Sequence, residues 1–369
     1  CTARCTYLHR SQAMKQLRKF LILPALLLSV LVLSGCERPP IEAVQHGYRG
    51  TAMDIIYNPR TLAEQAEKNA VPASYGAAPA DGPKAGAVYK NVKVLNNLSV
   101  AQFTSFMVSM TSWVAPEQGC SYCHNAANFA DDSLYTKQVA RNMILMTQRV
   151  NTQWQDHVAQ TGVTCYTCHR GNNIPQNVWF KEPKQQTGNG LLGNKDGQNT
   201  PVAASGYSSL PNDYFSSYLS KSSNIRVAGN TALPTGNKHS INETEATYGL
   251  MMHFSKSLGV NCTYCHNSRN FSSWEESPPQ RTKAWYAIRM AQDINNNYMD
   301  PIKGLFPPHR LGPTGDVAKA NCATCHQGAY KPLYGVSMLS DYPFLTGPAK
   351  PALKAKDDPP PPAKSVAMK

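Results

Sequence analysis

Cys120-Ser121-Tyr122-Cys123-His124 decides how the rest of this 369-residue chain is read. The same C-x-x-C-H pattern returns as Cys165-Tyr166-Thr167-Cys168-His169, Cys262-Thr263-Tyr264-Cys265-His266 and Cys322-Ala323-Thr324-Cys325-His326. Two thiols about one helical turn apart can form thioethers with the two vinyl groups of a porphyrin, and the adjoining histidine then reaches the iron. A zinc knuckle or a thiol redox pair explains C-x-x-C, but neither needs a histidine after the second cysteine every time. The pattern therefore implies four covalently bound c-type haems.

Cysteine use and charge agree with that reading. Of 11 cysteines, eight belong to the four motifs, Cys36 ends an export signal, and Cys1 and Cys5 lie upstream of it, which leaves none for a structural disulfide. Attachment of c-type haem takes place outside the bacterial cytoplasm, so the motif itself fixes the compartment. The formal charge is +13, but residues 1–35 hold five of the 36 Lys and Arg and none of the 23 Asp and Glu, leaving +8 beyond them. The propionates of four haems would offset most of this, so the basic balance does not indicate nucleic acid.

Taken in order, residues 1–35 read as upstream sequence plus a signal peptide. Met14-Lys15-Gln16-Leu17-Arg18-Lys19 is its basic start, and the apolar run from Phe20 to Leu33 leads to Leu33-Ser34-Gly35-Cys36. Small residues before that cysteine resemble a bacterial lipobox, which makes Cys36 the lipid-attachment residue and the new N-terminus. Residues 36–98 are rich in Pro, Ala and Gly and read as an extended segment laid over the surface. Residues 99–171 form a first dihaem unit: a helix begun by a Ser99/Gln102 capping box and ended by Pro116, the first motif, a second helix from about Ser133 to Ala159, and the second motif. Residues 172–240, dominated by Gly, Asn, Ser, Pro and Gln, connect it to a second unit over 241–335. There Asn242 and Glu245 offer a helix cap, Gly259 a stop, and another helix spans about Arg281 to Tyr298. Residues 336–369 form a tail, disordered toward its Pro-rich end.

The two units are copies. CSYCHNAANF at 120–129 and CTYCHNSRNF at 262–271 agree at seven of ten positions, and CYTCHRG at 165–171 matches CATCHQG at 322–328. The expected fold is mainly α with much irregular structure, built from duplicated helix–haem–helix–haem units with approximate two-fold symmetry. The proximal iron ligands are His124, His169, His266 and His326. For the sixth ligands, an offset of 144 pairs Met107 with Met251, the donors expected at the first and third haems. The same offset pairs Met146 with Met290 but Met143 with Ala287, which points to Met143 at the second haem, with Met146 the packing alternative. The fourth haem then lacks an equivalent donor and takes His157, on the same helical face as Met143 but about 21 Å farther along. His309, in a Pro-rich loop, competes for that role.

These motifs, with their histidines 45, 97 and 60 residues apart, and the stretches HVAQTGVTCYTCHRG (157–171), GLMMHFSKSLGVNCTYCHN (249–267) and CATCHQGAYKPLYG (322–335), resemble the tetrahaem cytochrome subunit of purple-bacterial photosynthetic reaction centres. The resemblance runs from the lipobox to about Pro343. It implies three His/Met haems and one bis-His haem in a nearly linear file perpendicular to the membrane, in the order third, fourth, second, first, with the third nearest the bacteriochlorophyll special pair. It also implies an electron carrier, not an enzyme, lipid-anchored at the periplasmic face of the membrane. Its partners would be the reaction-centre core subunits that carry the special pair and a soluble cytochrome c or high-potential iron–sulfur protein. The alternative is a periplasmic multihaem oxidoreductase, which needs an open iron position.

Overall fold

The computed structural model describes residues 42–45, 54–183, 210–211, 213–223, 225, 227 and 240–347. The leader over 1–35, Cys36, His46, His239, much of the connecting segment and the tail beyond 347 lie outside them. The chain divides into two compact units: residues up to 43 with 56–62, and residues 44–55 with everything from 63 onward. All four motifs belong to the larger one.

The N-terminal segment contains more regular structure than an extended strip. Strands β1 (Glu42–Gln45) and β2 (Asp54–Tyr57) form a two-stranded sheet, and α1 (Pro59–Lys68) follows. Helix α2 (Val100–Val114) starts on the Ser99/Gln102 capping box read from the sequence. Helix α3 (Tyr135–Gln153) stops short of Ala159. Its last turn breaks at Trp154, and α4 (Gln155–Val158) carries His157 separately. Helix α5 (Cys165–His169) is the second motif itself.

In the second half, α6 (Ile241–Leu258) is capped two residues earlier than the sequence suggested. Ser240 and Glu243 make the reciprocal bonds, and Asn242 and Glu245 lie inside the first turns. Gly259 ends the helix at φ +63°, and Gly328 N–H donates to the Ser257 carbonyl there, 2.8 Å away; a Cβ on Gly259 would lie 2.3 Å from the Gly328 carbonyl oxygen. Helix α7 (Gln280–Asp293) is shorter than expected because the chain widens into a π-helical turn over Ile294–Met299. Helix α8 (Cys322–His326), the fourth motif, packs on α6. Among the described residues no helix is long and apolar enough to cross a membrane.

Two buried clusters anchor these helices. One gathers Leu95, Leu98, Phe106, Trp113 and Ile144 around Tyr342 and Leu345, with Met107, Met110 and Cys165 at its margin. Tyr342 packs edge-on to Trp113 with ring centres 5.0 Å apart, and its hydroxyl bonds Ser109 Oγ at 2.7 Å. The start of the 336–369 segment is therefore core. The other cluster joins Trp179, Tyr214, Phe215, Tyr218 and Leu219 to Leu250, Ile288 and Ala291, with Met251 and Phe254 alongside. Here the connecting segment supplies core too, and Gly249 makes room for it: a Cβ there would sit 2.8 Å from the Tyr214 ring.

Candidate haem-binding centres

The four motifs adopt two local geometries. The first and third lie on 3-10 turns, Gly119–Tyr122 and Cys262–Tyr264, with Cys120 and Cys262 exposed. Each then closes a short bridge, Asn125 with Asn128 and Asn267 with Asn270, which brings a phenylalanine over the histidine. Phe129 stacks on His124 at 4.9 Å and 23°, and Phe271 on His266 at 5.3 Å and 27°. The second and fourth are single α-helical turns begun by Thr164/Thr167 and Asn321/Thr324 capping boxes, and both leave the helix through a left-handed residue, Arg170 or Gln327. A threonine hydroxyl at N3 reaches back to the N-cap backbone N–H, which neither Tyr122 nor Tyr264 could do.

Every motif histidine is held in one tautomer. Nδ1 faces a backbone carbonyl at 3.1 Å (His124 to Phe129), 2.8 Å (His169 to Asn172), 2.9 Å (His266 to Phe271) and 2.9 Å (His326 to Ala329). A carbonyl only accepts, so Nδ1 carries the proton and Nε2 keeps its lone pair. Burial pushes all four imidazoles below their ordinary value, which keeps them neutral. A neutral imidazole oriented by a carbonyl is the form that ligates a metal.

His157 shares these properties. Its Nδ1 donates to the Lys283 carbonyl at 3.1 Å, and burial first, then the neighbouring His326, pushes it down to about 3. Its ring centre lies 6.0 Å from that of His326. Two imidazoles bound through Nε2 to one metal atom, each at about 2 Å, would place their ring centres roughly 6 Å apart. His309 is exposed on a 3-10 turn, Pro308–Arg310.

Met107, Met143 and Met251 are half-buried on α2, α3 and α6. Met107 and Met143 share a local device: the hydroxyl four residues on, Thr111 or Thr147, donates to the methionine carbonyl at 2.8 and 2.9 Å. Met146, also half-buried, has Val150 at that position and no such partner could form there.

The eight motif cysteines form no disulfide. Burial pushes the thiols of Cys165, Cys265 and Cys322 up to about 12 and that of Cys123 up to about 11. Cys325 goes the other way, lowered first by its hydrogen bond with Cys168, and no cluster of three or more metal-donor side chains occurs among the described residues. Cys168 Sγ and Cys325 Sγ stand 2.8 Å apart, so the second and fourth motifs touch. The Arg170 guanidinium joins them further by donating to the Cys325 carbonyl at 3.4 Å.

Sequence reasoning missed the residues that hold His157. Asp293, buried on α7, accepts from Arg149 Nε at 3.0 Å, Trp154 Nε1 at 2.8 Å and Asn297 Nδ2 at 2.6 Å. This clamp fixes the α3–α4 break, and Lys283 adds its Nζ bond to the Asp156 carbonyl. Nothing in the sequence flagged Asp293. Such a contact between residues far apart in the chain leaves no local signal.

Comparison with known proteins agrees with the geometry. Residues 37–346 match the family model described as photosynthetic reaction centre cytochrome C subunit. The photosynthetic reaction center cytochrome c subunit of Rubrivivax gelatinosus is 59% identical over 315 residues, covering 85% of this chain and 86% of that protein. That of Thermochromatium tepidum is 47% identical over 88% of this chain and 80% of its own length, and that of Roseobacter denitrificans 36% over 87% and 92%. Neutral, oriented histidines beside cysteines that form no disulfide are what such a cytochrome needs, and the chain belongs to the photosynthetic reaction centre cytochrome c subunits, haem-bearing electron-transfer components associated with the reaction-centre core.

Proposed function

We propose that the chain carries four haems along one file and passes single electrons from a soluble periplasmic carrier, a cytochrome c or high-potential iron–sulfur protein, to the oxidised special pair of the core. Bound haem supplies reversible one-electron exchange at iron; the polypeptide supplies attachment, ligation and spacing. Cys120/Cys123, Cys165/Cys168, Cys262/Cys265 and Cys322/Cys325 tether the porphyrins. His124 with Met107, His169 with Met143 and His266 with Met251 make three His/Met sites, and His326 with His157 makes a bis-His site.

The observation that carries this reading is the 6.0 Å approach of His157 to His326, two neutral imidazoles from different halves of the chain. The 2.8 Å contact of Cys168 with Cys325 supports placing the second and fourth sites next to each other in the middle of the file. The exposure of Cys120 and Cys262 supports placing the first and third at its ends. On that order His266 faces the special pair and His124 takes electrons from the carrier. Thioether sulfur raises a haem's potential relative to a second imidazole, so the bis-His site is a low step between two higher ones. The paired local geometries of the first and third motifs, and of the second and fourth, support a duplicated dihaem unit with approximate two-fold symmetry. The same reading takes Cys36 as a diacylated N-terminus that anchors the protein at the periplasmic face.

Copurification with the reaction-centre core, followed by flash-induced haem oxidation, tests the proposal. Four haems per chain and a bleach that moves from one haem to the others on successive flashes are expected. A high-spin haem, with an open iron position, would favour the oxidoreductase alternative.

A further inference from the structure

The Phe129 carbonyl that orients His124 has a second donor. Lys137 Nζ donates to the same oxygen at 2.8 Å and to the Asp131 carbonyl at 2.8 Å, while pairing with Asp132 at 3.1 Å. Lys137 is 7% exposed, so its charge acts through protein more than through water. Lys93 and Arg141 also pair with Asp132, at 2.9 Å each, so the single carboxylate faces three cations.

At the offset of 144, Arg281 stands where Lys137 does and Trp285 where Arg141 does. Arg281 donates to the Ser273 carbonyl at 2.6 Å and Ser277 Oγ at 2.8 Å, and lies over the Trp274 ring. Both copies share the histidine–carbonyl bond and carry a cation at this position, and in the first copy that cation donates to the carbonyl oxygen itself.

We infer that Lys137 is a positioning residue that raises the reduction potential of the haem at His124 by competing for the Phe129 carbonyl oxygen. A carbonyl that accepts strongly from Nδ1–H makes the imidazole more anionic, which favours ferric iron and lowers the potential. An ammonium on the same oxygen withdraws electron density from it and weakens that push. This rests on the proposed His124/Met107 ligation and adds the group that tunes it.

The test is a potentiometric titration of the complete four-haem protein. Met107→His first identifies which midpoint belongs to the His124 site; if it moves none of the four, the ligation reading fails, independently of Lys137. Lys137→Met is then expected to shift that midpoint downward while the other three stay in place, and Lys137→Arg to restore it. Lys137→Gln, which keeps a neutral donor, serves if the Met variant loads haem incompletely, and is also expected to lower the midpoint. Arg141→Met removes a nearby cation without touching the carbonyl and is expected to shift the same midpoint less. An unchanged midpoint in the Met and Gln variants would overturn the inference. Equal shifts in the Lys137→Met and Arg141→Met proteins would overturn it too, since through-space charge alone would then suffice.

Discussion

His124 and His266 lie under half-exposed phenylalanines on 3-10 turns, whereas His169 and His326 sit on capped α-helical turns that touch each other. The same pentapeptide thus serves two settings. In the outer pair the carbonyl acceptor and the stacking ring of each histidine come from one residue five positions on in its own loop, and in the first motif Lys137 of α3 also donates to that carbonyl. The inner pair also bonds carbonyls of its own loops, three residues on, and is held in addition by distant parts of the protein: by Arg170 across to the Cys325 carbonyl, by Gly328 on α6, and by a histidine delivered from α4. Loop-held sites near the surface suit the ends of an electron path, where partners must come close.

The largest effect should come from the middle. His157→Met replaces an imidazole by a thioether and also loses the bond to the Lys283 carbonyl. It should raise the potential of the His326 haem by on the order of 100 mV, read by redox titration with the bis-His signature lost from electron paramagnetic resonance. If all four midpoints stayed put, His157 would not be a ligand.

Met251→His is the converse change at one end. The third haem should fall in potential by a similar or smaller amount, and re-reduction of the special pair after a flash should slow. Unchanged kinetics would remove Met251 from the ligand set.

The four motifs and the family were legible before any fold was known, because C-x-x-C-H and the stretches around it are local signals. What was not legible was set by contacts between distant residues. No Gly or Pro marks the break between α3 and α4; Trp154 turns there because its indole donates to Asp293, 139 residues away. The α7 helix widens where Asn295 and Asn296 give their side-chain amides to the Leu219 and Ser220 carbonyls, contacts across the fold that composition alone does not place. The α6 cap was misplaced because Ser240-x-x-Glu243 and Asn242-x-x-Glu245 offer the same spacing two residues apart. The core role of 213–220 and of Tyr342 was hidden in segments whose composition reads as loop.

Buried histidines also give the middle an acid limit. His253, 8% exposed beside Phe215 and bonded to Ser257, is pushed down to about 3 by burial first, then by Lys256 and His326. Its ordinary value is about 6.5. Between those values the unfolded chain binds a proton that the folded chain does not, so stability is complete above about 6.5 and declines as pH falls toward about 3, by up to ~1.4 kcal/mol per unit. His253→Gln should make that acid decline shallower, seen by comparing denaturant midpoints near pH 7 and near pH 4.5. An equally steep decline in the variant would show that His253 is not the group responsible.

The smallest effect belongs to the ends. Phe129→Leu and Phe271→Leu remove a ring that stacks on the histidine but leave the backbone carbonyl that orients it. A stacked aromatic contact is worth roughly 0.5–1.5 kcal/mol, and here the rings are 55% and 48% exposed, which places the loss at the low end. Each variant should lose a degree or two of thermal stability, about what that energy implies for a chain of this size. Only the midpoint of its own haem should move, because nothing in the inner pair leans on either phenylalanine. A matching shift at the His169 or His326 haem would show that the outer loops and the packed middle are mechanically one piece, and the division between loop-held ends and a protein-held centre would fall.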